Sequence, residues 1–273
     1  MMLSAHHVDI DGRIGFVQDA VPDRPNGSTL LLIHTAGQSG VQWRHSLHTL
    51  TELGYRLVVP DLPGHGHSEP APGGAVIDLG WYASWLMKLV DLLRLDDPLV
   101  VGCSIGGKIA QDLATRHSSR LAGAISMCAE PGPGRGKLHA LERELEDSAA
   151  PSRSDRTHLG TRAVVGRAVP EERAALIARM HCREDPIVSN SDLIGWCTHD
   201  VRDRLADISC PITFVAGEHD LWVNADAVEG AAAQIPGAAF VHLEGYGHYP
   251  MEEMDNFAQV LDRWVTDMKE RAQ

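Results

Sequence analysis

The sequence predicts an α/β fold: a mostly parallel sheet with helices on both faces and an inserted helical cap. Short apolar runs such as "TLLLIH" (29–34) and "YRLVVPD" (55–61) lack polar alternation, as strands covered on both faces do. Amphipathic helical stretches separate these runs, which is the pattern of parallel strands joined by helices. The alternation stops after residue 130 and resumes at "CPITFVAGEHD" (210–220), which indicates an insertion.

The predicted elements follow one another in a simple order. Two short strands, near 8–10 and 13–18, open the chain and end at the turn "PDRPNGS". The strands at 29–34 and 55–61 are separated by a helix that contains Trp43, and a second helical stripe includes Trp81 and Trp85. A strand at 99–101, a helix that contains Leu113 and a strand at 121–127 come next. Strands at 210–217 and 238–245 and a final helix from about 251 to 269 complete the sheet domain.

The segment 131–200 is predicted to be a helical cap. It opens with "PGPGRG" and continues with helical pieces such as "KLHALERELED" and "PEERAALIARMH", with no strand pattern between them. We therefore expect a core formed by 1–130 and 201–273 and a cap at 131–200. The alternative is a pair of ordinary surface helices with long loops.

Composition excludes several classes of partner. The net charge of the 273 residues is −13 and the basic residues are not clustered, which argues against nucleic acid and anionic membranes. Five cysteines without a Cys-x-x-Cys pair fit a reduced, cytoplasmic compartment. The sequence contains no metal-ligand spacing, no signal-peptide pattern and no apolar run of membrane-spanning length. It does not predict the oligomeric state.

The stretch "LVVGCSIGGKIAQDLA" (99–114) places a serine between glycines where a strand becomes a helix. A sharp turn of this kind holds the hydroxyl of Ser104 out as a nucleophile. The alternative is a glycine-rich turn that contains a serine by chance.

A base and an acid follow at positions that fit one arrangement with this serine. Asp220 lies just beyond the strand "ITFVAG", and His248 lies just beyond "AFVHLEG". Because ligands bind at the carboxyl ends of the strands in an open parallel sheet, we expect Ser104, Asp220 and His248 to meet there. A serine needs a base, and the base needs an orienting acid, to attack a carbonyl carbon.

Over nearly its whole length the chain resembles the α/β-hydrolase superfamily. The matching pieces are "GCSIGG" for the nucleophile turn, "AGEHD" for the acid and "GYGHYPMEE" for the histidine. "PDLPGHGHS" (60–68) is similar to the family's signature after the fourth strand, and "IHTAGQSG" (33–40) to its oxyanion loop after the third.

The resemblance implies a role for each of these residues. Ser104 attacks, His248 transfers the proton and Asp220 orients His248, with Glu130 as the alternative acid. The oxyanion is held by the backbone N–H groups of Ile105 and Ala36. Thr35 replaces the family's usual glycine, so the loop could differ in shape and Gly37 could supply the second N–H instead.

The activity implied is hydrolysis of a small carboxylic ester or lactone through an acyl-enzyme, without metal or organic cofactor. Cap and loop residues are candidates for the substrate pocket or for packing: Trp222, Trp196, Met180 and Tyr249. Cys103 is expected to be a buried filler. The alternatives are a carbon–carbon bond hydrolase or a cofactor-free perhydrolase of the same fold and, from another class, a ligand receptor that retains the triad.

Overall fold

One eight-stranded mixed sheet forms the centre of the protein. The computed structural model describes residues 2–146 and 153–271. In chain order its strands are β1 (Met2–Ile10), β2 (Arg13–Val21), β3 (Thr29–Ile33), β4 (Arg56–Asp61), β5 (Leu99–Cys103), β6 (Gly123–Met127), β7 (Ile212–Gly217) and β8 (Ala239–Leu243). Their order across the sheet is β1-β2-β4-β3-β5-β6-β7-β8. The pairs β1–β2 and β2–β4 are antiparallel and the remaining pairs are parallel, as the sequence predicts.

The helices are α1 (Leu47–Glu52), α2 (Leu79–Leu92), α3 (Ile105–His117), α4 (Leu138–Glu146), α5 (Arg153–Val164), α6 (Glu171–His181), α7 (Pro186–Thr198), α8 (Ala225–Ala232), α9 (Pro250–Glu253) and α10 (Phe257–Arg271).

Helices cover both faces of the sheet, which explains the continuous apolar runs. Successive residues of β3 contribute to two different clusters of buried side chains: Leu31 and Ile33 to one, Leu30 and Leu32 to the other. Side chains alternate across a strand, so a strand buried on both faces has no polar position. Helices α2 and α3 pack in the first cluster, and α1 and α10 pack in the second.

Four helices, α4–α7, form an insertion between β6 and β7. The start of α7 shows why it begins where it does: the carboxylate of Asp185 accepts hydrogen bonds from the N–H groups of Ile187 and Val188, and Pro186 occupies the first turn. The division into a core and a cap with boundaries at 131 and 200 stays a prediction.

The end of the chain differs in one detail from the sequence-based expectation of a single final helix. Met254 adopts an extended conformation, with φ −91° and ψ 126°, and separates the short helix α9 from α10. None of the helices in the described part of the chain combines the length and the apolar character needed to cross a membrane.

Candidate active site

Ser104 occupies a strained turn between the central strand β5 and helix α3. Its backbone has φ +58° and ψ −119°, a region that a non-glycine residue rarely adopts. The turn needs glycines on either side: a Cβ atom at Gly102 would lie 2.0 Å from the carbonyl oxygen of Gly106, and one at Gly106 would lie 2.7 Å from that of His34. Strain of this kind is typical of functional turns that expose a nucleophile.

His248 and Asp220 form a short, buried hydrogen bond at the carboxyl ends of β8 and β7. Nδ1 of His248 lies 2.6 Å from Oδ2 of Asp220, and both side chains are 1% exposed. Nε2 of His248 is buried and has no hydrogen-bond partner among the described residues. One ring nitrogen is therefore held by Asp220, and the other is free to bond to a further group.

Backbone groups fix the orientation of the Asp220 carboxylate. Its Oδ1 accepts from the N–H of Trp222 at 2.9 Å and from that of Val223 at 3.3 Å, which leaves Oδ2 for His248. The alternative acid, Glu130, is engaged elsewhere: its Oε1 accepts from the N–H of Asn224 at 2.7 Å, at the start of α8. The histidine is thus paired with Asp220.

A cavity of about 520 Å³ extends from Ser104 and His248 toward the insertion. Three of the predicted pocket residues line it: Trp222, Trp196 and Tyr249. The ring centroid of Trp222 lies 4.8 Å from that of His248, and that of Tyr249 lies 4.9 Å from it, both edge to face. The two aromatic rings pack against the imidazole of His248 and offer apolar surface to a ligand.

Met180, the fourth predicted pocket residue, is not among the residues that line this cavity. The geometry of α6 gives the reason: the next residue, His181, lines the cavity, whereas Met180 is half-buried with its sulfur 3.9 Å from Nη1 of Arg183. Successive helical residues point about 100° apart, so one position along the helix decides which side chain reaches the cavity.

The backbone N–H groups of Ala36 and its neighbours in the loop after β3 differ in whether they have an acceptor. The N–H of Thr35 donates to Oε1 of Gln42 at 2.8 Å, that of Gly37 to Oδ2 of Asp192 at 2.8 Å, and that of Gln38 to the carbonyl of Thr35 at 3.2 Å. Among the described residues none accepts from the N–H of Ala36, which also lines the cavity.

Thr35, which replaces the family's usual glycine, is not among the residues with a positive φ. The left-handed conformation falls two residues later, at Gly37, with φ +65°. On the other side of the site, Ile105 begins α3, and the first N–H groups of a helix have no acceptor within the helix.

Part of the cavity wall that the insertion supplies is polar and charged. The guanidinium of Arg153 contacts Glu184 through Nη2 at 3.0 Å and the side-chain oxygen of Asn190 through Nη1 at 2.8 Å. Arg156 pairs with Glu144, and this contact lowers the pKa of that carboxyl. The cavity wall is therefore aromatic beside His248 and charged around Arg153.

Three potential metal ligands, one of them His248 itself, cluster at this site, but they suit a metal poorly. Ligand atoms of Cys128, Asp220 and His248 lie within 4.8 Å of one another. A hydrogen bond with Cys103 and burial raise the pKa of the Cys128 thiol well above its usual value, so it stays protonated. Metals bind the thiolate, and the other two groups already hydrogen-bond to each other.

Sequence reasoning missed a buried glutamate that shapes the histidine loop. Glu253 accepts from three backbone N–H groups: those of Gly247 at 2.6 Å, Tyr249 at 2.9 Å and Gly166 at 3.0 Å. The last donor belongs to the segment after α5, so one carboxylate ties the insertion to the loop of His248. Its place in "GYGHYPMEE", five residues past the histidine, was the available signal.

A buried lysine, also missed, holds the segment that leads into the insertion. Nζ of Lys108 donates to the carbonyl of Glu130 at 3.0 Å and to that of Gly132. Burial is the main reason that the pKa of Lys108 is lowered to about 8. The ammonium group of Lys108 is therefore hydrogen-bonded to backbone carbonyl groups at the start of the insertion.

The fold and the order of these motifs define an enzyme class, and the comparisons agree. Residues 30–260 match the alpha/beta hydrolase family, and the chain belongs to it. The pimeloyl-[acyl-carrier protein] methyl ester esterase of Aromatoleum aromaticum is 28% identical over 242 residues, 82% of this chain and 92% of that protein.

Two further comparisons bear on the breadth of the family. The human protein ABHD14B, a candidate protein-lysine deacylase, is 33% identical over 121 residues; the match covers 43% of this chain and only 58% of that protein. The enol-lactonase of Burkholderia xenovorans LB400 superposes with a TM-score of 0.81 at 18% identity, over 98% of this chain and 99% of that chain. At that identity the likeness shows the fold alone.

Proposed function

We propose that this protein is a serine hydrolase that cleaves a small carboxylic ester or lactone through an acyl-enzyme on Ser104. The observation that carries the proposal is the buried 2.6 Å bond from His248 to Asp220, beside the same cavity as the strained Ser104. A relative that is named as a methyl ester esterase supports the ester class of substrate.

In this mechanism Oγ of Ser104 attacks the scissile carbonyl carbon while Nε2 of His248 takes its proton. Asp220 keeps the hydrogen of the imidazole on Nδ1 and stabilises the imidazolium that forms. The tetrahedral oxyanion accepts from the N–H groups of Ile105 and Ala36. His248 then returns the proton to the leaving alcohol, and a water that it activates releases the acid.

The choice of Ala36 over Gly37 rests on the backbone accounting of the loop. The N–H of Gly37 is already taken by Asp192, whereas the N–H of Ala36 is without an acceptor in the described residues. An oxyanion donor has to be free in the resting enzyme and preorganised for the charge that develops.

The shape of the cavity favours a small substrate with an apolar group next to the scissile bond. A volume of about 520 Å³ lies in the range typical of small-molecule sites. Trp222 and Tyr249 supply apolar surface beside His248, and another part of the cavity wall, around Arg153, is charged. The substrate is therefore expected to carry no charged group next to its scissile carbonyl group.

The test is acid release from a panel of short and medium acyl esters, aryl esters, lactones and a vinylogous diketone. We expect turnover of esters or lactones, lost by several orders of magnitude in Ser104→Ala because triad members act as a unit. Cys103→Ala is the matched control: its thiol is buried and takes no part in the proposed mechanism, so we expect activity to be retained.

The alternatives each predict a different result from the same panel. Cleavage confined to the diketone would favour a carbon–carbon bond hydrolase, which in this fold commonly carries Asn where Cys103 stands. Peroxide-dependent formation of a peracid would favour a perhydrolase. Tight lactone binding without turnover would favour a receptor.

A further inference from the structure

The oxyanion loop of this protein is held from the insertion as well as from the core. Gly37 donates its N–H to Oδ2 of Asp192, a residue of α7 that lies 155 positions later in the chain. The approach is close: a Cβ atom at Gly37 would lie 2.7 Å from Cβ of Ser189 and from Oε2 of Glu184. The loop is thus packed directly against the insertion.

Asp192 is fully buried and has three hydrogen-bond donors around it. Its Oδ2 accepts from Gly37 and lies 2.7 Å from Nε2 of His65, and its Oδ1 accepts from the hydroxyl of Tyr82 at 3.0 Å. His65 and Tyr82 belong to the core, so the carboxylate joins the insertion to three separate segments of the hydrolase sheet domain.

The surroundings of His65 identify its charge state. Nδ1 lies 3.2 Å from the carbonyl oxygens of Leu62 and Pro63, and Nε2 faces the Asp192 carboxylate. Because both ring nitrogens face acceptors, both carry hydrogen. Burial alone would lower the pKa of His65, but the Asp192 carboxylate and the two carbonyls raise it above its ordinary value.

The neighbouring histidine, His34, is neutral and completes the support of the loop. Its Nε2 accepts from the N–H of Leu62 at 3.0 Å, so the hydrogen is on Nδ1, which donates to the carbonyl of Thr35 at 2.9 Å. Burial, and then the charge of His65, lower the pKa of His34 to about 4.

We propose that Asp192, paired with His65, is a positioning residue that fixes the oxyanion loop from the insertion and keeps the N–H of Ala36 aimed at the developing oxyanion. The inference rests on the proposed function for its catalytic consequence. The His65 imidazolium neutralises the charge of Asp192. A lone carboxylate beside the loop would repel the oxyanion, whereas the ion pair carries no net charge.

Asp192→Ala tests the role, with Tyr82→Phe as the matched control. The alanine variant loses the acceptor of the Gly37 N–H; the phenylalanine variant removes one bond from the same carboxylate and leaves Oδ2 in place. Since loss of an oxyanion donor costs about 10²–10³ in rate, we expect kcat to fall on the order of 10²-fold in Asp192→Ala with KM within about threefold. Tyr82→Phe should retain kcat within about threefold.

A trifluoromethyl ketone that adds to Ser104 distinguishes positioning from a merely structural role. Its adduct places an oxyanion in the same site, so its affinity should fall in parallel with kcat in Asp192→Ala. The proposal would be overturned if the two variants lost kcat to the same extent, and melting temperature to the same extent, while inhibitor affinity stayed unchanged.

Hydrogen exchange in the wild-type protein provides a second readout that needs neither a variant nor turnover. The Gly37 amide should exchange slowly and the Ala36 amide much faster. If the Gly37 amide exchanged as fast as an exposed amide, its hydrogen bond to Asp192 would be refuted as a restraint on the loop. A wild-type protein that is inert toward every ester and lactone would instead refute the proposed function. Slow exchange of the Gly37 amide would still show whether Asp192 holds the loop.

Discussion

Replacing Asp220 by asparagine is the sharpest test of the catalytic assignment, because the structure dictates how the new amide must sit. Two backbone N–H groups, of Trp222 and Val223, point at the position of Oδ1. Only the amide oxygen can accept from them, so the NH₂ group must take the place of Oδ2, next to Nδ1 of His248.

That orientation forces the wrong tautomer on the base. Nδ1 of His248 must then accept from the amide, and the hydrogen of the ring moves to Nε2. A protonated Nε2 cannot take the proton of Ser104. The same change in a Ser-His-Asp protease lowers kcat by about 10⁴, which corresponds to roughly 5.5 kcal/mol of lost transition-state stabilisation.

The measurement is kcat on the best ester of the panel, together with the melting temperature. We expect a loss near 10⁴ in Asp220→Asn with little change in melting temperature, since the two amino acids are isosteric. Glu130→Gln is the matched control, because its amide oxygen can still accept from the N–H of Asn224. Near-normal activity in Asp220→Asn with a large loss in Glu130→Gln would transfer the acid role to Glu130.

Three other substitutions probe the pocket, the base of the insertion and the buried histidine. Trp222→Ala should raise KM for aryl esters roughly tenfold, because an aromatic contact and its burial are lost. The melting temperature should change little, since the side chain is 38% exposed; a large fall in melting temperature at unchanged KM would make Trp222 a core residue. Lys108→Met should lower the free energy of unfolding by about 2 kcal/mol, since two backbone carbonyls lose a charged donor; urea denaturation at equal or higher midpoint would contradict this. In the folded protein the pKa of His34 is lowered to about 4, so between about pH 6.5 and 4 the unfolded state binds a proton that the folded state does not. The free energy of unfolding therefore falls as the pH is lowered through this range, by up to roughly 3 kcal/mol. His34→Gln, which keeps an acceptor for Leu62, should flatten this loss, and an identical pH dependence in both proteins would exclude His34 as its source.

The sequence by itself determined the sheet, its helical cover and the meeting of His248 with Asp220. Apolar runs of strand length are local signals, and β3 to β8 follow them closely. The carboxyl ends of parallel strands share one edge of the sheet, so residues that follow separate strands are brought together whatever the details of packing. The glycines around Ser104 likewise encode the turn locally, because only they allow the strand and the helix to approach.

Only the tertiary structure decided which groups of the insertion and of the oxyanion loop face the cavity. Ala36 and Gly37 are equivalent candidates in the sequence, and what separates them is a hydrogen bond to Asp192, 155 residues away. Met180 and His181 are adjacent, and the rotation of α6 against its neighbours places the histidine in the cavity wall. Strand ends are positioned by a repeating ladder of backbone hydrogen bonds, whereas a helix turns its faces according to side-chain packing, and that packing depends on residues distant in sequence.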